Sequence, residues 1–384
     1  MRLHSYLDSA TAILSLYKGE LPFTLWLKDY FKKNRKYGSG DRKFISNLCY
    51  CYFRLGTAFK EYDMNERLLI GQFLCSSSSN LFLSLLKRTW NEKIQLPLTE
   101  KLHIVGGWNE HVFPFHEELS DQIDKEAFDR SFLVQPDLFL RIRPGQKNDV
   151  LRKLKQGSIL FDEAGENCLA LPNGTKVEEV LEPDREVVVQ DYSSQQVFKP
   201  LLPLLTNKGK IKAWDCCAAS GGKSILLSDL VPQVHVTVSD IRRSIIMNLE
   251  KRFGRAGLRN YNSFISDVAS STFILDESFD LVICDAPCSG SGTWSRTPEQ
   301  MSFFKAEKID HYTTLQKTIA LNAWKTVKHG GYFLYITCSV FKKENEEVVA
   351  HLQEQTTMEL ISQEYLKGYN QKADTLFVAL FRLR

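Results

Sequence analysis

Hydrophobic positions along this chain change their spacing twice. Up to about residue 125 they recur every three or four residues, in LDSATAILSLY, FISNLCYCYFRLG and NERLLIGQFL. That period predicts amphipathic helices. Gly38-Ser39-Gly40 and the serine run Ser76–Ser79 mark turns between them, and Arg42 and Lys43 open the helix carrying Phe44, Leu48 and Tyr52. After Phe115 the character changes. PDLFLRIRP (136–144) alternates like a strand stopped by Pro144-Gly145, and DVLRKLKQG (149–157) reads as a short helix closed by Gly157. SILFD and REVVVQD then read as strands, making a small α/β unit. From about 190, apolar runs alternate with helix-length segments: KIKAWDC, VHVTVSD, YNSFISD, FDLVICD and GYFLYITC. Runs apolar on both faces with helical crossovers predict a parallel, doubly wound sheet. DTLFVALFRLR at the end reads as an edge strand, for which an antiparallel course is open. The expected fold class is α/β, a Rossmann-like doubly wound sheet over 190–384, preceded by a helical part (1–125) and a small α/β part (126–189).

Composition narrows the class. The chain has 384 residues, 43% hydrophobic and 25% charged, which is ordinary for a globular protein. No stretch has the roughly 18 uninterrupted apolar residues of a membrane span. The first twenty residues are broken by polar side chains and lack a small-residue cleavage site, so a cytoplasmic protein is expected. The nine cysteines are odd in number and form no CxxC pair, and the eight histidines do not cluster near them in sequence. Reduced thiols are expected, and no metal site. The net charge is only +3, but 28–43 (KDYFKKNRKYGSGDRK) concentrates Lys28, Lys32, Lys33, Arg35, Lys36, Arg42 and Lys43 among Tyr30, Phe31 and Tyr37. Such a stretch suits a polyanion such as nucleic acid, and equally a solvated helix face.

Asp215-Cys216-Cys217-Ala218-Ala219-Ser220-Gly221-Gly222-Lys223-Ser224 follows the first strand of the sheet and opens a helix. Small residues there let a ligand approach the backbone, and the helix start offers free N–H groups. The phosphate-loop motif would need Gly where Cys217 stands, and the nicotinamide fingerprint is absent. A class I methyltransferase loop remains. It predicts an acid closing the second strand for the ribose hydroxyls, which is Asp240, and a residue after the third strand near adenine, which is Asp267. Each Asp alone could be a helix cap. Together with Asp285 they form a series, because the carboxyl ends of a parallel sheet face one cleft.

The fourth strand runs into Asp285-Ala286-Pro287-Cys288-Ser289-Gly290-Ser291-Gly292, and the fifth into Thr337-Cys338-Ser339. Cys284, inside an apolar strand, reads as core. Cys288 and Cys338 lie just past strand ends among small polar residues, at the rim of the same cleft. Two thiols beside a methyl donor suit methylation of cytosine C5. That carbon is a poor nucleophile until a thiolate adds at C6. Asp285 is placed to donate to cytosine N3, a second thiol could act as base, and Lys223 or a helix start would have to lower a thiol's pKa.

CAASGGK (217–223), DAPCSGSG (285–292) and YITCS followed by ENEEVV (344–349) closely resemble the RsmB/Fmu and NSUN family of RNA cytosine-C5 methyltransferases. The likeness covers nearly all of 190–384, including Gln316 and the turn His329-Gly330-Gly331. It implies S-adenosyl-L-methionine as cofactor, Cys338 as nucleophile and Cys288 as the residue that helps release product. It also implies that Asp285 and Lys223 contact the base, and that Cys217, Ala218, Ala219, Ser220, Gly221, Gly222, Lys223, Asp240, Asp267 and Asp285 bind the cofactor. Ser220 replaces the family's usual loop proline, which frees the backbone there. Ser291 and Ile245 are milder departures.

The resemblance extends more weakly toward the N-terminus. QDYSSQQV (190–197) looks like the family's approach to the catalytic part, PDLFLRIRP resembles an RRM-like domain, and GSGDRKFISNLCYCYFRL (38–55) is similar to a NusB-like RNA-binding domain. This favours RNA, and small-subunit ribosomal RNA over transfer RNA. Two rivals stay open. A non-catalytic RNA-binding protein would predict loss of Cys338, Asp285 or the glycine loop. A thiol redox enzyme would leave Asp240 and Gly221-Gly222-Lys223 unexplained.

Overall fold

In a computed structural model, which describes residues 2–107, 111–205 and 209–384, the apolar runs expected after residue 190 pair into one sheet. The chain divides into two units. One takes in Met1–Leu119, Asp124–Gln135 and Thr293–Ala306, the other Ser120–Ile123, Pro136–Gly292 and Glu307–Arg384.

The first unit is helical. Its longer helices are Arg2–Leu16, Phe23–Lys33, Ser39–Arg54, Met64–Cys75 and Lys125–Phe132. The helix expected at Arg42 starts three residues earlier, at Ser39, because Asp41 reaches back to the Gly38 N–H at 3.0 Å and caps the turn. Burial follows the three-to-four spacing: Phe23, Leu27 and Phe31 face inward from one helix, and Ile45, Leu48 and Cys49 from the next. Buried Arg54 donates to the carbonyls of Phe132 (2.7 Å) and Val134 (3.2 Å) and to the Gln135 amide oxygen (2.7 Å), so its charge is hydrogen-bonded where water is excluded.

The second unit holds two sheets. The smaller has strands β1 (Leu138–Ile142), β2 (Asp162–Gly165), β3 (Cys168–Leu171) and β4 (Val187–Val189) in the order β2-β3-β1-β4. SILFD, expected as a strand, contributes only Asp162; the ladder lies beyond it. Arg141 of β1 and Arg143, directly after it, converge on Asp229 of the helix Gly222–Leu230, at 2.5 and 2.8 Å. That ties the small sheet to the helix behind the glycine loop.

The larger sheet comprises β5 (Ile211–Asp215), β6 (Val234–Asp240), β7 (Tyr261–Ile265), β8 (Phe279–Asp285), β9 (Val327–Thr337), β10 (Met358–Lys367) and β11 (Thr375–Leu383). Their order is β10-β11-β9-β8-β5-β6-β7. β5 to β9 run parallel, and β11 is antiparallel to both β9 and β10. One expectation is corrected: the last strand is not at the edge. β11 sits between β9 and β10, and its residues Thr375–Phe381 are all buried, as an interior strand requires. The edge belongs to β10, whose MELISQEYLK is too polar to stand out in sequence. The core is built around Trp214, fully buried among Phe264, Phe273 and Phe279 with its indole N–H on Ser239 Oγ at 3.1 Å.

The chain leaves β5 toward β6 and β7, then returns to β8 on β5's other side. Crossovers therefore diverge at the carboxyl ends of β5 and β8, and a crevice opens there.

Candidate active site

β5, β6 and β8 each end on an aspartate: Asp215, Asp240 and Asp285. Asp267 lies two residues past β7, and Cys338 directly follows β9. All lie at the same end of the sheet. A cavity of about 440 Å³ opens between them. Among the predicted residues, Cys217, Ala219, Asp240, Asp267, Asp285, Cys288 and Cys338 line it. Ala218, Ser220, Gly221, Gly222 and Lys223 do not line it; they form the loop and the helix start behind it, and Lys223 pairs with Asp285. Sequence reading missed Tyr312, Leu315 and Ile319, which wall the cavity from the helix Glu307–Ala323. Ile241 and Val268 were within reach, because each directly follows a strand-end aspartate.

The glycine loop is constrained locally. Gly221 has φ +77°, and a Cβ there would come within 2.5 Å of the Phe253 ring and 3.0 Å of Leu249. Only glycine fits both the left-handed backbone and the packing. Ala219 also has positive φ, 45°, and its N–H donates to Asp240 at 3.2 Å. Ser220 is held in place by Arg252, which donates to its carbonyl at 3.1 Å and its hydroxyl at 3.0 Å while anchored on Asp184 at 2.6 Å.

Asp240 is 6% exposed. Burial alone would raise its pKa, but the Arg242 guanidinium and the N–H groups of Arg242 and Ala219 outweigh it and hold the carboxylate below its ordinary value. Asp240 is therefore an ionised acceptor at neutral pH. Asp267 is exposed and accepts from the Ala269 N–H at 3.0 Å. Asp215 is sealed under the loop. Burial pushes it up to about 7, and one oxygen takes the Ser224 hydroxyl at 2.6 Å.

Lys223 Nζ meets Asp285 Oδ2 at 2.6 Å. Burial would lower the ammonium's pKa, and Asp285, then Cys338 and Asp215, raise it above its ordinary value. Lys223 is thus a fixed cation within electrostatic reach of Cys338. Cys288 Sγ and Cys338 Sγ lie 3.3 Å apart. The contact with Cys338, then burial, and then the charge on Glu344 push the Cys288 thiol well up. Cys217 goes the same way, through Cys216 and burial, so it meets the cavity as a neutral thiol. Cys284 is fully buried in β8, as expected.

Sequence reading also missed Glu344, inside the quoted ENEEVV. It is wholly buried and accepts from the Ser289 N–H at 2.9 Å, the Gln316 amide at 2.8 Å and the Ser339 hydroxyl at 3.0 Å. Gly292 brings the Cys288 loop onto its neighbours: a Cβ there would meet the Thr375 carbonyl at 2.1 Å, and its N–H donates to the Cys338 carbonyl at 2.9 Å.

Among the described residues, one group has metal-ligand types at close spacing: His111, His116 and Asp129 in the helical unit. Both imidazoles reach Asp129 Oδ2, at 3.2 and 2.9 Å. Their rings stack at 3.5 Å and 16°, with one nitrogen of each directed to that same oxygen. That geometry suits two N–H donors on one carboxylate. Among the described residues no helix is long and apolar enough to cross a membrane.

Comparison with known proteins gives these features a context. Residues 203–380 match the family model described as 16S rRNA methyltransferase RsmB/F. The ribosomal RNA small subunit methyltransferase B of Yersinia pseudotuberculosis (serotype O:1b, strain IP 31758) is 31% identical over 164 residues, 43% of this chain and 37% of the relative. The enzyme of the same name from Yersinia pestis bv. Antiqua (strain Angola) matches equally. The chain thus spans 37% of the length of these curated relatives. Among solved structures, PH0851 is similar with TM-score 0.68 and 18% identity over 99% of this chain and 98% of that one. NSun6 from Pyrococcus horikoshii, solved with SFG, is similar with TM-score 0.57 and 14% identity over 67% of this chain and 94% of that one. These two likenesses show the fold. Residues 203–380, which contain the glycine loop and both cysteine loops, are thus similar to the RsmB/F methyltransferase family.

Proposed function

We propose that the chain transfers a methyl group from S-adenosyl-L-methionine to C5 of a cytosine in RNA, with small-subunit ribosomal RNA as substrate, through a covalent adduct between Cys338 and C6. The observation that carries this reading is the pair of sulfurs 3.3 Å apart at the rim of a cavity lined by Asp240, Asp267 and Asp285. The residues present fit the cofactor. Asp240 is an ionised acceptor suited to ribose hydroxyls, and Ile241, Val268, Leu315 and Ile319 give apolar wall for an adenine ring. Cys217 and Ala219 bring loop backbone to the cavity, and Asp267 faces it. S-adenosyl-L-methionine supplies an electrophilic methyl there.

The chain's own residues do the rest. Lys223 holds a positive charge within electrostatic reach of Cys338, the group that attacks. Cys338 Sγ adds to C6, and the electron pair of the C5–C6 double bond moves toward C4 and N3, leaving C5 nucleophilic. N3 takes up a proton as the pair arrives; Asp285, paired with the Lys223 ammonium at 2.6 Å, is the group that passes it from that ammonium and takes it back when the C6–sulfur bond breaks. Once C5 carries the methyl, its proton leaves to a base; Cys288 is placed for that role once its own thiol proton has passed to solvent, and it then takes the C5 proton as a thiolate. The C6–sulfur bond then breaks and returns the thiolate of Cys338. The target base has to leave its stack to reach this crevice. In the helical unit, Lys28, Lys32, Lys33, Arg35 and Lys36 are exposed and have no carboxylate partner among the described residues, which suits a phosphate backbone. We extend the reading to the organisation expected from sequence, a NusB-like RNA-binding part, an RRM-like part and the methyltransferase part, acting in the cytoplasm.

Trapping tests the scheme. Cys288→Ala incubated with S-adenosyl-L-methionine and ribosomal RNA is expected to accumulate a protein–RNA adduct that survives denaturing electrophoresis, and Cys338→Ala to form none. An adduct that persists in Cys338→Ala would overturn the nucleophile assignment.

A further inference from the structure

The two cysteines sit on separate loops, 50 residues apart in sequence, yet their sulfurs are 3.3 Å apart. Something must hold the loops together. Neither sulfur has the strength to do so, because thiol contacts are weak. One carboxylate, Glu344, touches both loops. Its Oε2 takes the N–H of Ser289, directly after Cys288, and its Oε1 takes the hydroxyl of Ser339, directly after Cys338. Gln316 closes the frame. Its amide N–H groups reach both Glu344 Oε2 (2.8 Å) and the carbonyl of Pro287, directly before Cys288 (2.9 Å). Cys288 is therefore bracketed on both sides by one buried pair. Glu344 is itself fixed: the Tyr335 hydroxyl donates to its carbonyl at 2.7 Å, and neighbouring Asn345 donates to the Ser339 carbonyl at 2.8 Å.

We propose that Glu344 is a positioning residue for methyl transfer: beside the direct bonds between the loops, Gly292 N–H to the Cys338 carbonyl at 2.9 Å and Val340 N–H to Ser291 Oγ at 3.0 Å, its buried carboxylate holds the Cys288 loop to the Cys338 loop and so helps set the distance between the two sulfurs. It touches neither sulfur. Its three acceptor contacts are charge-assisted, the strong kind in a water-free interior. Its charge also faces Cys288 and, after the contact with Cys338 and burial, adds to the upward push on that thiol. The part played in transfer rests on the function proposed above; the geometric part does not.

The test uses the full chain and a readout that needs neither RNA nor cofactor. Glutathione disulfide oxidises the pair: the Cys288–Cys338 disulfide forms, and two glutathione thiols are released. The equilibrium constant of that exchange measures how well the sulfurs are held. Peptide mapping after alkylation reads it at this pair alone. Glu344→Ala is expected to lower the constant at least tenfold. Glu344→Gln, which keeps one acceptor oxygen in the same volume, adds an amide donor and removes the charge, is expected to fall between the parent and Glu344→Ala. Gln316→Leu, which removes the second bracket and keeps Glu344, is expected to lower it threefold to tenfold and carries the test if Glu344→Ala does not fold. In transfer assays Glu344→Ala should lose at least thirtyfold in kcat with S-adenosyl-L-methionine affinity unchanged within twofold. A constant that stays at the parent value in both Glu344→Ala and Gln316→Leu, or a parent that forms no such disulfide, overturns the proposal. A parent that forms the disulfide and transfers no methyl would sink the functional reading and leave this one standing.

Discussion

Asp285→Asn is the most informative single change in the site. It keeps the volume of the side chain and one acceptor oxygen for Lys223, and removes only the charge. Lys223 and Asp285 side chains are 15% and 27% exposed, with a contact of 2.6 Å. A hydrogen bond between charged groups contributes about 1.5–3 kcal/mol. Breaking a fully buried pair costs about 3–5 kcal/mol, because a charge is left without a partner. Partial exposure of Asp285 lets water reach Lys223, so the lower range applies, about 2 kcal/mol, or about thirtyfold in rate. Single-turnover transfer of labelled methyl at saturating cofactor measures it. Lys223→Met and the double variant complete a cycle, and the coupling energy should be about 2 kcal/mol, with the double variant little worse than the poorer single. If Asp285→Asn stays within threefold of the parent, or the coupling is under about 0.5 kcal/mol, the two residues do not act as a unit and the role given to Asp285 at N3 fails.

Asp240→Asn removes an ionised ribose acceptor and should weaken S-adenosyl-L-methionine binding about tenfold, the effect of about 1.4 kcal/mol; calorimetric affinities equal to the parent's would rule Asp240 out. Asp215, pushed by burial from its ordinary 3.8 to about 7, binds a proton in the folded chain that it releases when unfolded. Stability should therefore fall as pH rises from about 4 to about 7, and Asp215→Asn should flatten that slope in denaturant melts; an unchanged slope counts against a protonated Asp215. Replacing Lys32, Lys33 and Lys36 together by Gln should reduce the dependence of log affinity on log salt by about 0.7 for each phosphate these lysines neutralise, read by filter binding with ribosomal RNA. An unaltered slope would mean this face is only solvated.

Most of the larger sheet was legible because buried parallel strands are apolar on both faces, and β5, β6, β8 and β9 are. β11 carried the same signal, seven buried residues in a row, and was misplaced only through its position at the end of the chain. β10 was missed because an edge strand with one solvent face buries little; only Met358 and Tyr365 are buried in it. The site divides in the same way. Strand-end aspartates and the two cysteines could be found because the topology of a parallel sheet delivers its carboxyl ends to one place. Glu344 could not, since its partners Ser289 and Gln316 lie 55 and 28 residues away and nothing in local pattern links them. Tyr312, Leu315 and Ile319 were hidden for a related reason: apolar residues at helical spacing look the same whether they face a core or a cavity.

The central claim is the reaction itself. Labelled methyl from S-adenosyl-L-methionine should pass to RNA and, after digestion, co-migrate with 5-methylcytosine, with the label in small-subunit ribosomal RNA and not in transfer RNA. Label in transfer RNA alone would keep the chemistry and change the substrate. Label in any other nucleoside, or none in any RNA fraction or ribosomal particle while the cofactor binds, would contradict the account.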